Sequence, residues 1–290
     1  MNPAFKTIGL IGKYKSPEIA EPLLKLGDFL AKRGVKVIVD RLTEFHLRGS
    51  DYPMLTLEEI GRQADLAIVL GGDGTMLNIA RTLAPFELAL VGVNQGRLGF
   101  LTDISIDTML ETIGSILEGK YVTEERMLLE AEVLSKGQKV FGVLAFNDVA
   151  VSKGIKGSMI ELEVRIDGKF LYKVRSDGLI VTTPTGSTAY ALSAGGPIIH
   201  PALSAIALVP ICPHTFSSRP IAIGSDSVVE IIITSAADAR AHFDSHSRFD
   251  LREQDRVVVR RYGNTIRLLH PVGHDYYNML RAKLHWTEFY

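Results

Sequence analysis

A single cysteine, Cys212, occurs in 290 residues, so no disulfide can form within the chain and nothing points to an oxidising compartment. No C-x-x-C or H-E-x-x-H spacing is present, which removes the common zinc signatures, and no N-x-[ST] glycosylation acceptor occurs. An excess of one charge is missing too: 32 basic against 33 acidic residues leave a net charge of −1. Without a basic field the chain has no bulk electrostatic hold on nucleic acid or an anionic membrane, and neither is expected as a partner. Long apolar runs are also lacking. The first, residues 8–11, stops at Gly12 and Lys13, far short of a signal-peptide core or of the roughly 20 residues that span a bilayer. A cytoplasmic location is expected.

What is present is ordinary for a globular protein. Hydrophobic residues make up 46% and charged residues 22%, which excludes a disordered or fibrous chain. A chain this long removes roughly three quarters of its unfolded surface from water, enough for one large domain or two smaller ones.

The pattern changes near residue 126. Before it, apolar runs at 7–11, 36–40, 65–70 and 88–93 alternate with helical stretches. Ile19, Leu23, Leu26 and Leu30 line one helix face between Ser16-Pro17-Glu18 and Gly34, with Pro22 placed awkwardly inside. Further helical stretches are expected near 75–83 and 107–117, and this alternation predicts a parallel sheet with helices on its faces. After residue 126 the period becomes two, as in Leu129-Glu130-Ala131-Glu132-Val133 and again over 160–166. Lys136-Gly137 and Asp167-Gly168 read as hairpin turns. Strands are expected at 140–151, 227–234, 238–243, 256–262 and 265–270, mostly antiparallel. The expected organisation is an α/β domain over 1–125, with a helix in 275–290 returning to it, and a β-rich domain over 126–274.

Three segments carry chemistry. In Leu70-Gly71-Gly72-Asp73-Gly74-Thr75 a buried strand runs into three glycines around one carboxylate, just before a helix. Strand ends of open α/β sheets bind ligands, and glycines let phosphates approach the backbone. A carboxylate repels phosphates, so Asp73 suits metal binding or proton acceptance, unless the segment is simply a capped turn. It is neither a Walker A loop nor a G-x-G-x-x-G fingerprint. In 176–197 a strand enters a hydroxyl-rich turn opening a short helix, where Thr185, Ser187 and Thr188 offer hydroxyls and Tyr190 offers a ring for a base or for the core. Asn147-Asp148 places polar groups inside the apolar 140–151 run, either at an edge turn or facing ribose hydroxyls.

Gly71-Gly72-Asp73-Gly74-Thr75, the 94–103 run Asn-Gln-Gly-Arg-Leu-Gly-Phe-Leu-Thr-Asp, Asn147-Asp148, and the block from Arg175 through Thr-Pro-Thr-Gly-Ser-Thr-Ala-Tyr to Pro197 together resemble the bacterial NAD kinases. The resemblance extends over nearly the whole chain. It implies a Rossmann-like α/β N-terminal domain with a mostly antiparallel, β-sandwich-like C-terminal domain. It also implies transfer of the ATP γ-phosphoryl group to the 2′-hydroxyl of the adenosine ribose of NAD, giving NADP. A divalent cation such as Mg2+ is implied as cofactor, and a homodimer or homotetramer as the assembly.

By the same resemblance Asp73 is the base at the 2′-hydroxyl, with Gly72 and Gly74 beside it, and Asn147 and Asp148 bind the adenosine part of NAD. Arg175, Asp177, Thr185, Thr188, Ala189, Tyr190 and Ser193 line the dinucleotide site. The family often carries Asp-Ser/Gly-Gln where this chain reads Asp244-Ser245-His246, so His246 aligns with the glutamine. His242, Asp244 and His246 would share one strand face, an alternative metal trio. The competing functions are a Gly-Gly-Asp-Gly lipid kinase, for which no membrane-binding feature is found, and a non-catalytic NAD or NADP sensor. A sensor gains little from a carboxylate among three glycines.

Overall fold

Strands Lys36–Asp40, Thr7–Gly12, Leu66–Leu70 and Ala89–Asn94 lie side by side in that order and all run parallel. Every residue of 66–70 is buried, the continuous apolar run that a parallel strand covered on both faces requires. Leu66, Ile68 and Leu70 face a core shared with Leu23, Leu26 and Leu30 of helix Ala20–Ala31 and Ile113 and Ile116 of helix Met109–Leu117. Other side chains press on glycines of the strands: Ile60 against Gly9 and Met76 against Gly92 leave no room for a Cβ there. This computed structural model describes residues 5–46, 51–155 and 158–286. The chain divides into one unit of Met1–Glu125 with Ile266–Tyr290, and a second of Arg126–Thr265.

The helix over 20–31 tolerates Pro22 because a short 3-10 turn, Pro17–Ile19, delays its start. Proline then occupies the first turn, where its missing N–H would have had no partner. Helix Leu57–Gln63 was not expected from periodicity. Its signal was chemical: Thr56 accepts from the Glu59 N–H while the Glu59 carboxylate accepts from the Thr56 N–H, a capping box.

The second unit is antiparallel and built on period two. One six-stranded sheet runs in the order Ile221–Gly224, Ala205–Ile211, Gly178–Thr182, Asp148–Lys153, Ala239–Phe243, Ser247–Leu251. Lys169–Ser176, Ile160–Ile166, Val229–Ser235 and the start of Arg256–Pro271 pair in another. Alternate residues of both, including Val149, Val151, Leu179, Val181, Leu162, Val164, Ile231 and Ile233, meet in one core. That is the interdigitated interior of a β-sandwich. Both expected hairpins form, with Lys136-Gly137 at φ 51° and 80° and Asp167-Gly168 at φ 51° and 73°, the left-handed pair a two-residue turn demands.

Two expectations are corrected. The 140–151 run is not one strand: Gln138–Ala145 pairs with Tyr121–Ser135, whereas Asp148–Lys153 belongs to the six-stranded sheet, and Phe146-Asn147 is the corner between them. The polar pair marks a change of sheet. Conversely 256–262 and 265–270 are one strand, Arg256–Pro271, whose Leu268 pairs with Leu90 in the first unit's sheet. The last helix, Tyr276–Leu284, is capped by Asp275, which accepts from the Tyr277 N–H. Among the described residues no helix is long and apolar enough to cross a membrane.

Candidate functional site

In the first unit the chain leaves strand 66–70 at Gly71, whose N–H still bonds to Val93 O (2.9 Å), and enters helix Asp73–Leu83 two residues later. A Cβ at Gly71 would lie 2.7 Å from Thr75 Oγ1, so this glycine belongs to the turn itself. Gly72 and Gly74 differ. Both are exposed, neither has a positive φ, and a Cβ on either would meet no described atom within 4 Å. The local fold does not require glycine at these two positions. Close approach of a ligand to the backbone would require it.

Between them the Asp73 carboxylate is held by a loop. Oδ2 accepts from the Phe100 N–H (2.9 Å); Oδ1 accepts from the Leu101 N–H (3.0 Å) and from Thr102 Oγ1 (3.3 Å). The loop is shaped from within by buried Asn94, whose Nδ2 donates to Thr102 O (3.1 Å) and whose Oδ1 accepts from the Gly96 N–H (3.1 Å). Gly99 is obligatory, because a Cβ there would sit 2.1 Å from Asp73 Oδ1. Sequence reasoning assigned Asp73 but missed Gly99 and Thr102 as its supports. No spacing rule links residues so far apart in the chain.

In the second unit Asn147 and Asp148 lie at the 146–148 corner. Asp244 and Ser245 adopt φ 50° and 54° at the turn between 239–243 and 247–251. This aims the Asp244 carboxylate at three successive amides, of Phe146 (2.7 Å), Asn147 (2.7 Å) and Asp148 (3.1 Å). Thr183 Oγ1 donates to Phe146 O (2.7 Å), and Thr182 Oγ1 and the Thr183 N–H donate to Asn147 O at 3.1 and 2.9 Å. Asp148 itself is buried, and burial together with the neighbouring Asp244 charge pushes its carboxyl up to about 7. The trio His242, Asp244 and His246 is corrected here. The strand ends at Phe243, so the three do not share a strand face, and the Asp244 carboxylate is occupied by backbone amides.

The hydroxyl-rich turn is more inward-looking than expected. Thr185 is buried and its Oγ1 accepts from Arg126 Nη1 (3.1 Å); Ser187, also buried, bonds Pro184 O and the Ile199 N–H. Thr188 Oγ1 donates to Thr185 O (3.1 Å). The helix beyond is a single turn, Tyr190–Ser193, too short for an appreciable dipole. Buried Arg126 went unnoticed in the sequence because an isolated arginine carries no positional signal. Ala189 is half-buried, while Tyr190, Ser193, Arg175 and His246 are exposed. Asp177 pairs with Lys153 (2.8 Å). Partial burial, then the charges of Asp148, Cys212 and Asp177, raises the Tyr190 hydroxyl, which puts Asp148, Asp177 and Tyr190 within electrostatic reach of one another.

For a hard cation the donors fit a shared arrangement. Mg2+ is usually held by one or two carboxylates and the oxygens of substrate phosphates. Asp73 is the sole carboxylate of segments 71–82 and 94–102, and its oxygens keep lone pairs beyond the bonds described.

Residues 8–121 match the ATP-NAD kinase N-terminal domain family and residues 146–270 the ATP-NAD kinase C-terminal domain family. The chain is 60% identical over 284 residues to the NAD kinase of Nitrosomonas eutropha, covering 98% of this chain and 96% of that one. It is 53% identical over 288 residues to the NAD kinase of Chromobacterium violaceum, covering 99% of each. In structure it is similar to yeast NADH kinase complexed with NADH, with a TM-score of 0.91 at 25% identity over 100% of this chain and 90% of that one. It is also similar to an NAD kinase from Archaeoglobus fulgidus in complex with ATP, with a TM-score of 0.72 at 25% identity over 96% and 98%.

Proposed function

The chain belongs to the ATP-NAD kinase family, and on that premise we propose that it transfers the γ-phosphoryl group of ATP to the 2′-hydroxyl of the adenosine ribose of NAD, giving NADP. The observation that carries this reading is Asp73. Its carboxylate is anchored at the mouth of a strand end between two exposed glycines whose Cβ positions are open.

Phosphoryl transfer asks little covalent help of a protein and much positioning and charge compensation. Asp73 takes the proton of the attacking hydroxyl. Its three loop donors fix the carboxylate without using every lone pair, so it remains able to accept that proton. Gly72 and Gly74 let phosphate oxygens approach the first N–H groups of helix 73–83, where the partial positive charge favours anions. A divalent cation such as Mg2+ would be held by Asp73 and the ATP phosphates, and when bound it neutralises charge on the transferring group.

In the second unit Asn147 and Asp148 hydrogen-bond the adenosine part of NAD. Arg175, Asp177, Thr188, Ala189, Tyr190, Ser193 and His246 complete the dinucleotide contacts, with Tyr190 laying its exposed ring on a planar part of the ligand, while buried Thr185 acts from behind, its hydroxyl held by Arg126. The test is direct. Purified protein incubated with ATP, Mg2+ and NAD should form NADP, read by an NADP-specific dehydrogenase. NAD binding without NADP formation would refute the catalytic reading and leave a sensor.

A further inference from the structure

Asp103, His270 and His274 form a cluster that the phosphoryl-transfer chemistry does not use. All three belong to the first unit. Asp103 follows directly on the loop that holds Asp73, His270 lies at the end of strand 256–271, and His274 lies in the turn before the last helix. Both imidazoles direct Nδ1 at the same oxygen, Asp103 Oδ2, at 2.9 Å from His270 and 2.8 Å from His274. The side chains are 2%, 8% and 11% exposed for His270, Asp103 and His274. Asp103 Oδ1 is buried with no hydrogen-bond partner. On its far side His270 places Nε2 3.2 Å from Glu124 Oε2.

We propose that Asp103, His270 and His274 form a binding site for one borderline transition-metal ion of the Zn2+ class, separate from the hard cation that accompanies ATP. Two imidazole nitrogens and one carboxylate are the donor set that such ions select, whereas Mg2+ selects oxygen alone. Two ligand atoms each about 2.1 Å from a tetrahedral ion lie roughly 3.4 Å apart, so the nitrogen-to-Oδ2 spacings of 2.9 and 2.8 Å already present need only open modestly. The Glu124 carboxylate behind His270, 3.2 Å from its Nε2, stands where the outer partner of a ligating histidine commonly stands, within reach to orient the ring once Nδ1 binds the ion. The unpartnered Oδ1 is a further oxygen available to the ion.

Loading must replace the two Nδ1–H donors by lone pairs, and must part the two rings, now stacked at 3.9 Å. His274 can make that adjustment, because it sits in a turn with Gly273 at φ 95° while His270 is fixed in a strand. The three ligands tie strand end, turn and loop together. The ion would therefore stiffen the segment whose Phe100, Leu101 and Thr102 hold Asp73.

Metal binding is measured on the full chain, stripped by chelator and titrated with Zn2+ against a chromophoric competitor, without any assay of activity. Wild type should bind one equivalent and melt at a higher temperature with Zn2+ than with chelator. Glu124→Gln should weaken binding by about 10–100-fold. His274→Ala should abolish tight binding and the thermal shift, and His200→Ala, remote from the cluster in the sequence, should change neither. Should Asp103→Asn fail to fold, His274→Ala decides the matter, since that side chain lies at the site's edge. Binding no tighter than micromolar in wild type, or equal binding by wild type and His274→Ala, would overturn the site.

Discussion

The proposed base and the anchor of the 100–102 loop are the same residue, Asp73, and one substitution separates the two roles. Asp73→Asn keeps size but loses basicity, so kcat should fall by about 10²–10⁴, with NAD affinity held or slightly raised. The same change leaves one of the loop's donors facing an amide NH2, at a stability cost of about 1–3 kcal/mol. Steady-state kinetics and a melting curve on one sample read both, and a near-normal kcat would remove Asp73 from the chemistry. Asp148 offers a pH test. With its carboxyl pushed up to about 7, the folded chain keeps a proton that the unfolded chain has released. Stability from this group therefore falls as pH rises from about 4 to about 7. Asp148→Asn has no charge to bury, so its melting temperature should exceed wild type by more at pH 8 than at pH 5, while NAD binding weakens.

At the scale of elements, glycine positions distinguish fold from function. Gly74 is the second residue of helix 73–83 with open space at its Cβ, so Gly74→Ala should raise stability by about 0.5–1 kcal/mol. If phosphate oxygens approach there, the same variant loses activity. Higher stability with lower kcat/KM is the expected pairing, and unchanged activity would move the ligand away from this turn. The 244–245 turn acts on another element altogether. Asp244→Ala leaves the amides of 146–148 without their acceptor, costing about 1–3 kcal/mol. Because those amides orient Asn147 and Asp148, KM for NAD should rise well before KM for ATP does. Equal rises in both would argue for general loosening instead.

Across the whole molecule, the first unit is discontinuous in sequence. Leu269 sits in its core beside the 89–94 strand, and Leu268 pairs with Leu90. A fragment of residues 1–125 should therefore unfold at a lower urea concentration than the same fragment joined to 266–290. Equal midpoints would show that the returning segment adds nothing. The second unit, by contrast, is a single continuous segment, Arg126–Thr265.

The sequence alone determined the switch from α/β to antiparallel β near residue 126, the two hairpin turns at Lys136-Gly137 and Asp167-Gly168, and the family, through the Gly-Gly-Asp-Gly and Thr-Gly-Ser-Thr-Ala-Tyr segments. These are local signals: side-chain period, turns that need positive φ, and short runs of adjacent residues. Tertiary structure decided the rest. It split the 140–151 run between two sheets, since nothing in an apolar strand pattern states which neighbour it will pair with. It joined 256–271 into one strand, set Phe100, Leu101 and Thr102 on Asp73, and brought Asp244 to the 146–148 corner. Hydrogen bonds between groups tens of residues apart have no period, and they form only once packing has placed both partners.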